Sequence, residues 1–590
     1  PMRPAELLSW GTMAGLGLTK RAATAVSART SMVRAAANVT EACVTDLDAF
    51  AHSAKREPAT ALESFDEPRT RDSFDGTALD SLNEARRLAV RDEFLWSWQA
   101  YERHAWGRDE LRPLSQTSED WVPGGMGLTI LDSLDSLWLM GLEEELARAR
   151  AFVANLSFDV DAEVNTFETT IRALGGLLSA HALTGDALYL QRALDLGKRL
   201  LAAFKTATGL PAPNINLRTR KPGRAHWSYK LCTAEMGSLS VEFHHLSRAT
   251  NDTRFADAVA RVGDHLAKHA RRVRPKHLLP IFFEPDGSPS GTDMTSLGAR
   301  GDSYYEYLLK RWLLGGQREP KLRARYLDAT RAIATHLVQR TARGVAYVSE
   351  QYPHGPLRPK MDHLACFLPG MLALGAATAG RHGGGGASNR SATHLALAEE
   401  LMETCWLMYA NTPTGLAAEI AVFHQDGALA FSSSAQDSHS LLRPETVESL
   451  FVLWRLTRDP THRERGWKIF EAFRRRAPPD RQPAPARRQR PLGPSRHLSR
   501  QPPSQPEPTP RGPTACRHGR VEAGGYASVE SVQEAPVRLR DKMESFWLSE
   551  TLKYLYLLFS DDDVLPLDRW VFNTEAHPLP VEQPPAPAES

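Results

Sequence analysis

Three acidic residues, each with an arginine nearby, stand at the starts of predicted helices. The pairs are Glu168 with Arg172, Asp302 with Arg300, and Glu445 with Arg443. A guanidinium beside a carboxylate keeps it ionised and oriented. If these acids converged on one polar pocket, one could protonate a leaving oxygen and another could activate water. This is the chemistry of glycoside hydrolysis.

A structural interpretation of the same residues competes with the catalytic one. Asn165 and Glu168 have the spacing of a capping box. Asp302 suits an N-cap, and Pro444 suits a first helical position. Acidic side chains also favour the positive end of a helix dipole. Each acid taken alone is more typical of a cap, so the catalytic hypothesis depends on their convergence.

The elements that must position these acids are helical hairpins. Apolar residues recur every three or four positions, as in Phe167, Ile171, Leu174 and Leu178. Polar or glycine-rich breaks interrupt this pattern at 140–146, 183–186, 249–252, 315–316, 381–386, 456–459 and 559–563. The longer intervals suit two helices plus turns. The pattern predicts a toroid of about seven hairpins, with an open solenoid as the alternative.

Two regions differ in composition from the helical part. Residues 1–85 are polar and predict a stem or disordered lead-in. The catalytic domain is expected at 86–580, followed by a tail at 581–590. An insertion at about 477–520 interrupts it, because 478–513 holds 12 of the 40 prolines and seven arginines. A disordered insertion is favoured there over a basic partner-binding tract.

Charge and targeting features narrow the function classes. The formal charge of +2 gives no basis for a nucleic-acid or acidic-membrane partner. Segment 7–26 is interrupted by Thr, Gly, Lys and Arg, so it predicts neither a membrane span nor a signal peptide. Any membrane anchor is expected upstream of residue 1 or to be absent. Sequons favouring a secretory protein begin at Asn38, Asn155, Asn251 and Asn389.

Six long blocks carry a resemblance to a known family. They are GLTILDSLDSLWLMGL, VNTFETTIRALGGLLSAHALTGD, ARGDSYYEYLLK, KMDHLACFLPG, LLRPETVESLF and MESFWLSETLKYLYLLFSDD. The chain is similar to glycoside hydrolase family 47, the class I α-1,2-mannosidases, from about 91 to 580. The resemblance implies an all-α fold, an (α/α)7 barrel plugged at one end by a C-terminal β-hairpin.

The resemblance also implies a Ca2+ site near the C-terminus. Thr574, in the turn NTEAHPLP, matches the residue that binds the ion through its carbonyl and hydroxyl oxygens. Waters and sugar hydroxyls would complete the shell of a cation that takes six to eight oxygens. Without the resemblance, Thr574 would be interpreted as a turn residue.

Site roles follow by the same resemblance. Glu168 matches the general acid, which acts through a water, and Asp302 and Glu445 match the other catalytic carboxylates, with Glu445 favoured as the base. Residues expected around the substrate and the metal-bound waters are Arg172, Glu235, Arg300, His363, Arg443, Phe546, Glu550 and Glu575. Phe546 would form an aromatic floor, whereas His363 alone would be interpreted as a core histidine.

The resemblance further pairs Cys366 with Cys405 in a disulfide, whereas Cys43 and Cys516 are assigned no partner. It implies an inverting, Ca2+-dependent enzyme that removes terminal α-1,2-mannose from high-mannose N-glycans. Arg300 favours removal of one middle-branch mannose from Man9GlcNAc2. A non-catalytic mannose-binding factor in glycoprotein degradation and a Golgi-type mannosidase are the alternatives. A monomer in the lumen of the endoplasmic reticulum or early Golgi, active in glycoprotein maturation and quality control, is expected.

Overall fold

The principal helices of the described chain form two concentric rings. The computed structural model describes residues 76–225, 228–379, 386–424, 429–431, 435–474 and 519–583. The inner helices are Leu128–Leu139, Gly175–Thr184, Ser240–Thr250, Asp302–Leu314, Leu368–Ala379, Glu445–Thr457 and Leu552–Phe559. The outer helices are Gly76–Ala105, Glu143–Asn155, Ala187–Leu200, Thr253–Ala270, Pro320–His336, Gly386–Ala410 and Pro460–Arg474.

Burial separates the two rings. Every residue of the inner helix Leu552–Phe559 is buried. The outer helix Thr253–Ala270 instead buries one stripe, formed by Phe255, Ala258, Val259, Val262, Leu266, Ala267 and Ala270. Helices that are apolar on all sides belong in an interior, whereas amphipathic helices face solvent on one side. The sequence pattern therefore sorts the helices into the two rings.

The first and last helices close the ring. Arg86 in the first outer helix donates to Glu464 in the last outer helix at 2.6 Å. On the inner side, Ser136 Oγ donates to the carbonyl of Leu548 at 3.2 Å. These contacts join chain segments more than 370 residues apart. The fold is therefore a closed (α/α)7 barrel, and the open-solenoid alternative is wrong.

Closure also explains the predicted breaks. Those at 140–146, 183–186, 249–252, 315–316 and 456–459 each fall between an inner helix and its outer partner. Residues 381–385 of the glycine-rich break lie outside the described residues. The break at 559–563 is different, because the last inner helix packs against the first helix of the chain. It ends the ring and does not connect a pair.

Short helices begin several inner segments or lie in the connections. They are Thr166–Glu168, the π-helical Thr169–Leu174 and Trp547–Thr551, the 3-10 turns Leu201–Phe204 and His363–Phe367, and the α-helical Thr233–Gly237 and Ala435–Ser438. Small antiparallel sheets occupy the long connections. Their strands are Glu110–Arg112, Thr117–Glu119, Glu163–Asn165, Asn214–Asn216, Pro222–Gly223, Leu231–Cys232, Phe282–Phe283, Val338–Arg340, Ala346–Val348, Glu350–Gln351, Leu357–Arg358, Lys360–Asp362, Ile420–Phe423 and Leu429–Phe431.

A C-terminal β-hairpin plugs one end of the barrel, as predicted. Strand Trp570–Phe572 pairs antiparallel with Pro578–Pro580, with Phe572 opposite Pro578. The Phe572 ring packs against Phe451 and Tyr554 of two inner helices, with centroids 5.8 and 5.7 Å apart. Buried aromatic pairs of this kind fix orientation as well as burying area. The hairpin is therefore part of the barrel core.

The predicted disulfide is confirmed. Cys366 and Cys405 are bonded, and they join the 3-10 turn His363–Phe367, which precedes the fifth inner helix, to the outer helix Gly386–Ala410. They are 39 residues apart in sequence, so the loop-entropy account gives about 3–4 kcal/mol of stabilisation. Cys232 is a buried free thiol. Cys43 and Cys516 lie outside the described residues.

Two of the predicted domain boundaries can be compared with the structure. The first helix begins at Gly76, within the predicted lead-in, and residues 1–75 lie outside the described part. Residues 475–518, which hold most of the predicted insertion, lie outside it too. Arg474 and Arg520 flank that gap and donate to opposite oxygens of Glu93 at 3.2 and 2.7 Å. Both ends of the segment are therefore anchored on one carboxylate.

Two sequons can be placed on the surface. Asn155 and Asn251 are exposed at helix ends, whereas Asn38 and the Asn389 side chain lie outside the described residues. Among the described helices, none has the length and apolar composition needed to cross a membrane.

Candidate active site

The N-terminal ends of the inner segments surround a cavity of about 470 Å³. All three predicted catalytic acids, Glu168, Asp302 and Glu445, line it. The predicted residues that also line it are Arg172, Glu235, Arg300, Arg443, Phe546, Glu550, Thr574 and Glu575. Of the predicted cavity residues, only His363 is absent from the wall. Residues from distant hairpins therefore converge as the catalytic hypothesis requires.

Glu168 combines a capped backbone with a carboxylate that faces the cavity. Asn165 Oδ1 accepts from the Glu168 N–H at 2.8 Å, which is the N-cap half of the predicted capping box. The Glu168 carboxylate instead accepts from Arg172 Nε at 2.9 Å. Its side chain is 32% exposed. The cap and the catalytic interpretation are therefore compatible at this residue.

Arg172 is the central cation of the pocket. It lies in the π-helical segment Thr169–Leu174, a distortion frequent at functional sites. Its Nη1 donates to Glu575 Oε2 at 2.8 Å. Burial opposes the charge, but Glu575, Glu168 and Asp132 raise the pKa of the guanidinium well above its usual value. Arg172 is therefore permanently charged.

Asp302 is the first residue of its helix and not the predicted N-cap, which is Gly301. Its Oδ1 accepts from the N–H of the next residue, Ser303, at 2.8 Å. Burial, together with the charges of Glu306 and Glu445, raises the pKa of Asp302 to about 8. The carboxyl is therefore mostly protonated at neutral pH. The helix therefore begins one residue earlier than predicted, and Asp302 lines the cavity.

Glu445 has the opposite protonation. It also begins its helix, one residue after Pro444, which occupies the N-cap position. Its Oε2 lies 2.9 Å from His363 Nδ1, and Arg443 Nη1 is 3.8 Å from Oε1. Burial raises the pKa of Glu445, but the hydrogen bond to His363 and the charge of Arg443 outweigh it and lower the pKa. Glu445 is therefore ionised.

His363 lies behind Glu445 and does not line the cavity. It is 2% exposed. Its Nε2 is 2.9 Å from the Tyr409 hydroxyl and 3.1 Å from Thr446 Oγ1. A histidine bound on both ring nitrogens has a fixed orientation. The structure thus places His363 as a support of the Glu445 carboxylate and not in the wall around the substrate.

The cavity floor is aromatic and acidic. The guanidinium groups of Arg172 and Arg443 lie 5.7 and 5.8 Å from the ring centroid of Phe546. Burial raises the pKa of Glu575 to about 8, although Arg172 opposes the shift. Burial and the neighbouring Glu575 raise the pKa of Glu550 well above its usual value. Glu550 and Glu575 are therefore two interacting buried acids in the cavity lining.

Thr574 lies at the floor in the turn of the β-hairpin. Its backbone N–H donates to the Tyr307 hydroxyl at 3.2 Å. Among the described residues, no group of three or more His, Cys, Asp or Glu side chains forms a metal cluster. The oxygens of Thr574 and the nearby carboxyls of Glu550 and Glu575 are the ligand type that Ca2+ prefers. The residues present fit a calcium ion held directly by few protein atoms.

Glu235 and Arg300 also line the cavity. Burial and the charge of Glu168 raise the pKa of Glu235 to about 7. Arg300 is exposed, with its guanidinium 5.4 Å from the Phe282 ring. Its backbone has φ of 75°, a conformation uncommon for residues other than glycine. The carbonyl of Arg300 accepts from the Ala234 N–H at 2.9 Å. This bond holds Arg300 beside the preceding inner segment, which begins at Thr233–Gly237.

Sequence reasoning missed several residues of the site. Trp121 and Glu448 both line the cavity. Glu448 lies one turn after Glu445 on the same helix, and that spacing could have identified it. Trp121 lies in an irregular loop without a motif. Its position depends on Asp109, whose Oδ2 accepts from the Trp121 N–H at 2.8 Å.

Comparisons with known proteins agree with this geometry. The family model of glycosyl hydrolase family 47 matches residues 93–486 and 513–581. The human endoplasmic reticulum mannosyl-oligosaccharide 1,2-alpha-mannosidase is 41% identical over 506 residues, 85% of this chain and 64% of that protein. This chain thus spans less than two thirds of the human relative. The Schizosaccharomyces pombe protein of the same name is 41% identical over 514 residues, 84% of this chain and 89% of that protein.

A solved structure supports the fold. The α-1,2-mannosidase from Trichoderma reesei matches with a TM-score of 0.69 and 24% identity, covering 85% of this chain and 99% of that one. The likeness confirms the barrel architecture predicted from the sequence.

Proposed function

Because this chain belongs to glycosyl hydrolase family 47, we propose that it hydrolyses terminal α-1,2-linked mannose from Man9GlcNAc2-type N-glycans with inversion. One observation carries the proposal: Glu168, Asp302 and Glu445 line a single cavity whose floor holds Thr574. The printed names of the human and fission-yeast relatives support the substrate class. The intact set of acids favours an enzyme over a non-catalytic mannose-binding factor.

Opposed protonation states support different roles for Glu445 and Asp302. Glu445 is ionised, so it can accept a proton from an attacking water. Asp302 is largely protonated near neutral pH, which suits a donor that orients that water or a sugar hydroxyl. Glu168 lines the same cavity and acts as the general acid through a water. Environments that separate the pKa values of two carboxyls are typical of acid–base pairs.

The floor positions the terminal mannose. Phe546 lines the cavity, where its ring can pack against the sugar, and the guanidinium groups of Arg172 and Arg443 lie 5.7 and 5.8 Å from the ring centroid. Thr574 would hold Ca2+, which when bound supplies a Lewis acid that grips vicinal sugar hydroxyls. Glu550 and Glu575 lie beside it and accept hydrogen bonds from hydroxyls or waters. The oxygen-rich floor therefore suits a polyhydroxylated ring.

Arg300 supports a narrow branch preference. Arg300 is exposed and lines the cavity that would receive the terminal mannose. A bidentate donor there can select one arm of a branched oligosaccharide. We infer removal of the single middle-branch mannose, giving Man8GlcNAc2, in the lumen of the endoplasmic reticulum. A Golgi-type enzyme would instead continue trimming.

The test is incubation of the purified chain with Man9GlcNAc2 and Ca2+, followed by identification of the product. We expect one Man8GlcNAc2 isomer lacking the middle-branch mannose, and first-released mannose in the β configuration by proton NMR. We expect inversion because an inverting glycosidase needs a carboxylate that activates water, the role proposed for Glu445. The proposal would be refuted by an initial α anomer or by no release of mannose. Continued trimming below Man8 would reassign the chain to the Golgi type.

A further inference from the structure

A short loop at the end of the third outer helix concentrates positive charge. The helix Thr253–Ala270 runs into the stretch KHARRVRPKH, residues 268–277, which we call the basic loop. Five of its side chains are lysine or arginine, and all five are exposed: Lys268, Arg271, Arg272, Arg274 and Lys276. Within the part of the chain that the structure describes, none of these five side chains forms an ion pair with a carboxylate. Because the whole chain carries a formal charge of only +2, this excess of charge is local.

The basic loop has a fixed backbone, so its charges are held close together. The Val273 N–H donates to the His269 carbonyl at 3.0 Å, and the His277 N–H donates to the Ala270 carbonyl at 2.7 Å. Cations near the C-terminal end of a helix interact favourably with its dipole, which accounts for Lys268 and Arg271. The dipole acts only over the last turn, so it does not account for the cations further along the loop. Their mutual repulsion is unfavourable until an anion lies against them.

The basic loop lies at the same end of the barrel as the catalytic cavity. The N-terminal ends of the inner segments surround that cavity, and each outer helix runs antiparallel to its inner partner, so the outer helices end on that side. Only six residues separate Lys276 from Phe282, and six residues span at most about 20 Å. The Phe282 ring is 5.4 Å from the guanidinium of Arg300, which lines the cavity. A large substrate held in the cavity can therefore reach the loop.

We propose that the basic loop is a docking surface for acidic polypeptide of the glycoprotein whose N-glycan enters the catalytic cavity. The inference rests on the proposed function, because an N-glycan is carried by a protein. The sugars of a high-mannose glycan are neutral, so they offer the five cations no ionic partner. Aspartate and glutamate side chains near the glycosylated asparagine do offer one, and that polypeptide must lie outside the cavity while its glycan lies inside. Charge complementarity of this kind acts mainly by speeding association.

The experiment compares kcat/KM for Man9GlcNAc2 on two synthetic glycopeptides. One peptide has aspartate and glutamate around the glycosylated asparagine, and the other has the corresponding amides. In about 20 mM salt, where the Debye length is about 20 Å, we expect the acidic glycopeptide to be favoured about tenfold. In about 500 mM salt, where the Debye length is about 4 Å, the preference should disappear. This salt dependence is measured on the wild-type chain, so it does not depend on the folding of any variant.

A triple variant assigns the preference to the basic loop. Arg271→Gln combined with Arg272→Gln and Lys276→Gln should abolish the preference and leave kcat/KM for free Man9GlcNAc2 unchanged. Arg274 is kept, because its Nη1 donates to the Val273 carbonyl at 3.2 Å and so supports the backbone of the loop.

A matched control removes two arginines and one lysine elsewhere. These three residues are also exposed and without an ion-pair partner among the described residues: Arg261, Lys321 and Arg569. Lys321 and Arg569 lie at the opposite end of the barrel, where an inner helix ends at Leu314 and the C-terminal hairpin begins. Their replacement by glutamine, together with Arg261→Gln, should keep the tenfold preference.

Equal kcat/KM values for the two glycopeptides in low salt would overturn the proposal, and so would a preference that survives the triple variant. The Kd of each glycopeptide for Glu168→Gln repeats the comparison without turnover, and an acidic glycopeptide bound about tenfold more tightly supports the docking surface. A chain that binds both glycopeptides and cleaves neither would refute the proposed function, while the ratio of the Kd values still decides on the loop. Equal kcat/KM values together with loop-dependent binding to vesicles of phosphatidylcholine and phosphatidylserine would assign the loop to a membrane surface and overturn the proposal.

Discussion

Asn573 holds the turn that carries Thr574, and its removal is the sharpest test of the metal site. Asn573 is fully buried. Its Nδ2 donates to the Ile171 carbonyl at 2.9 Å and to Glu242 Oε1 at 2.7 Å. Its Oδ1 accepts from the N–H groups of Glu575 and His577 at 2.9 and 2.8 Å. The Asn573 side chain therefore stabilises the turn internally and connects it to two inner segments.

The cost of Asn573→Ala follows from these four bonds. Each buried hydrogen bond contributes about 1 kcal/mol net, and each partner left unpaired costs about 1–3 kcal/mol. Because the four bonds share one side chain, their effects are not additive. We expect a loss of about 3–5 kcal/mol in the free energy of unfolding. If the ordered turn is then about one-tenth populated, the apparent Kd for Ca2+ rises about tenfold.

The assay is a Ca2+ titration after chelation, followed by calorimetry and by the rise in Tm. The control is Asn216→Ala, because Asn216 Oδ1 also accepts from two backbone N–H groups, those of Arg218 and Thr219. Asn216 is the half-buried last residue of strand Asn214–Asn216, and it pairs with Glu163. The control should keep the wild-type Kd for Ca2+. A wild-type Kd in a folded Asn573→Ala chain would refute the reasoning.

Three further outcomes are expected. Glu168→Gln should lower kcat by about 10²-fold or more while a mannose-type inhibitor still binds, and loss of folding with active residual protein would favour the cap alone. Thr574→Ala keeps the carbonyl ligand, so the half-saturating Ca2+ for activity should rise about tenfold, whereas full wild-type activity in EDTA would exclude the site. Burial lowers the pKa of His577, but Asp135 and Asp132 raise it to about 9 from 6.5. Its contribution, up to about 3 kcal/mol, is complete below pH 6.5 and lost as pH rises through 9; denaturant unfolding should show this loss in wild type and not in His577→Gln.

The helices were predictable because their signals are local. Apolar spacing, caps and connectors all act within a few residues, so inner and outer helices could be located from the sequence. The periodicity predicted a toroid but did not exclude an open solenoid, because closure depends on contacts such as Arg86 with Glu464, 378 residues away. The same limit applies to the last break, whose partner helix comes first in the chain.

The site residues were predictable as types and positions but not as protonation states. Asp302 and Glu445 both begin helices beside an arginine, and nothing in either motif separates them. The residues that lie beside each of them in the folded chain distinguish Asp302 from Glu445. Glu306 and Glu445 disfavour charge on Asp302, whereas His363 favours it on Glu445. Roles that depend on long-range neighbours require the fold.

The fold also explains how one pocket tolerates so many buried acids. Six of the seven inner segments reach the cavity near their N-terminal ends, and the seventh, Leu128–Leu139, begins at a neighbouring cavity that shares Trp121 and Asn165 with it. The N-terminal end of a helix carries a partial positive charge and unpaired N–H groups. A ring of such ends can support carboxylates at its mouth, and the predicted catalytic acids Glu168, Asp302 and Glu445 all stand near these ends. Deeper acids such as Glu575 lie beyond that influence, and their burial raises the pKa instead. Position at a helix start therefore does not set the charge by itself. Glu445 is ionised beside His363 and Arg443, whereas burial and the charges of Glu306 and Glu445 raise the pKa of Asp302 to about 8.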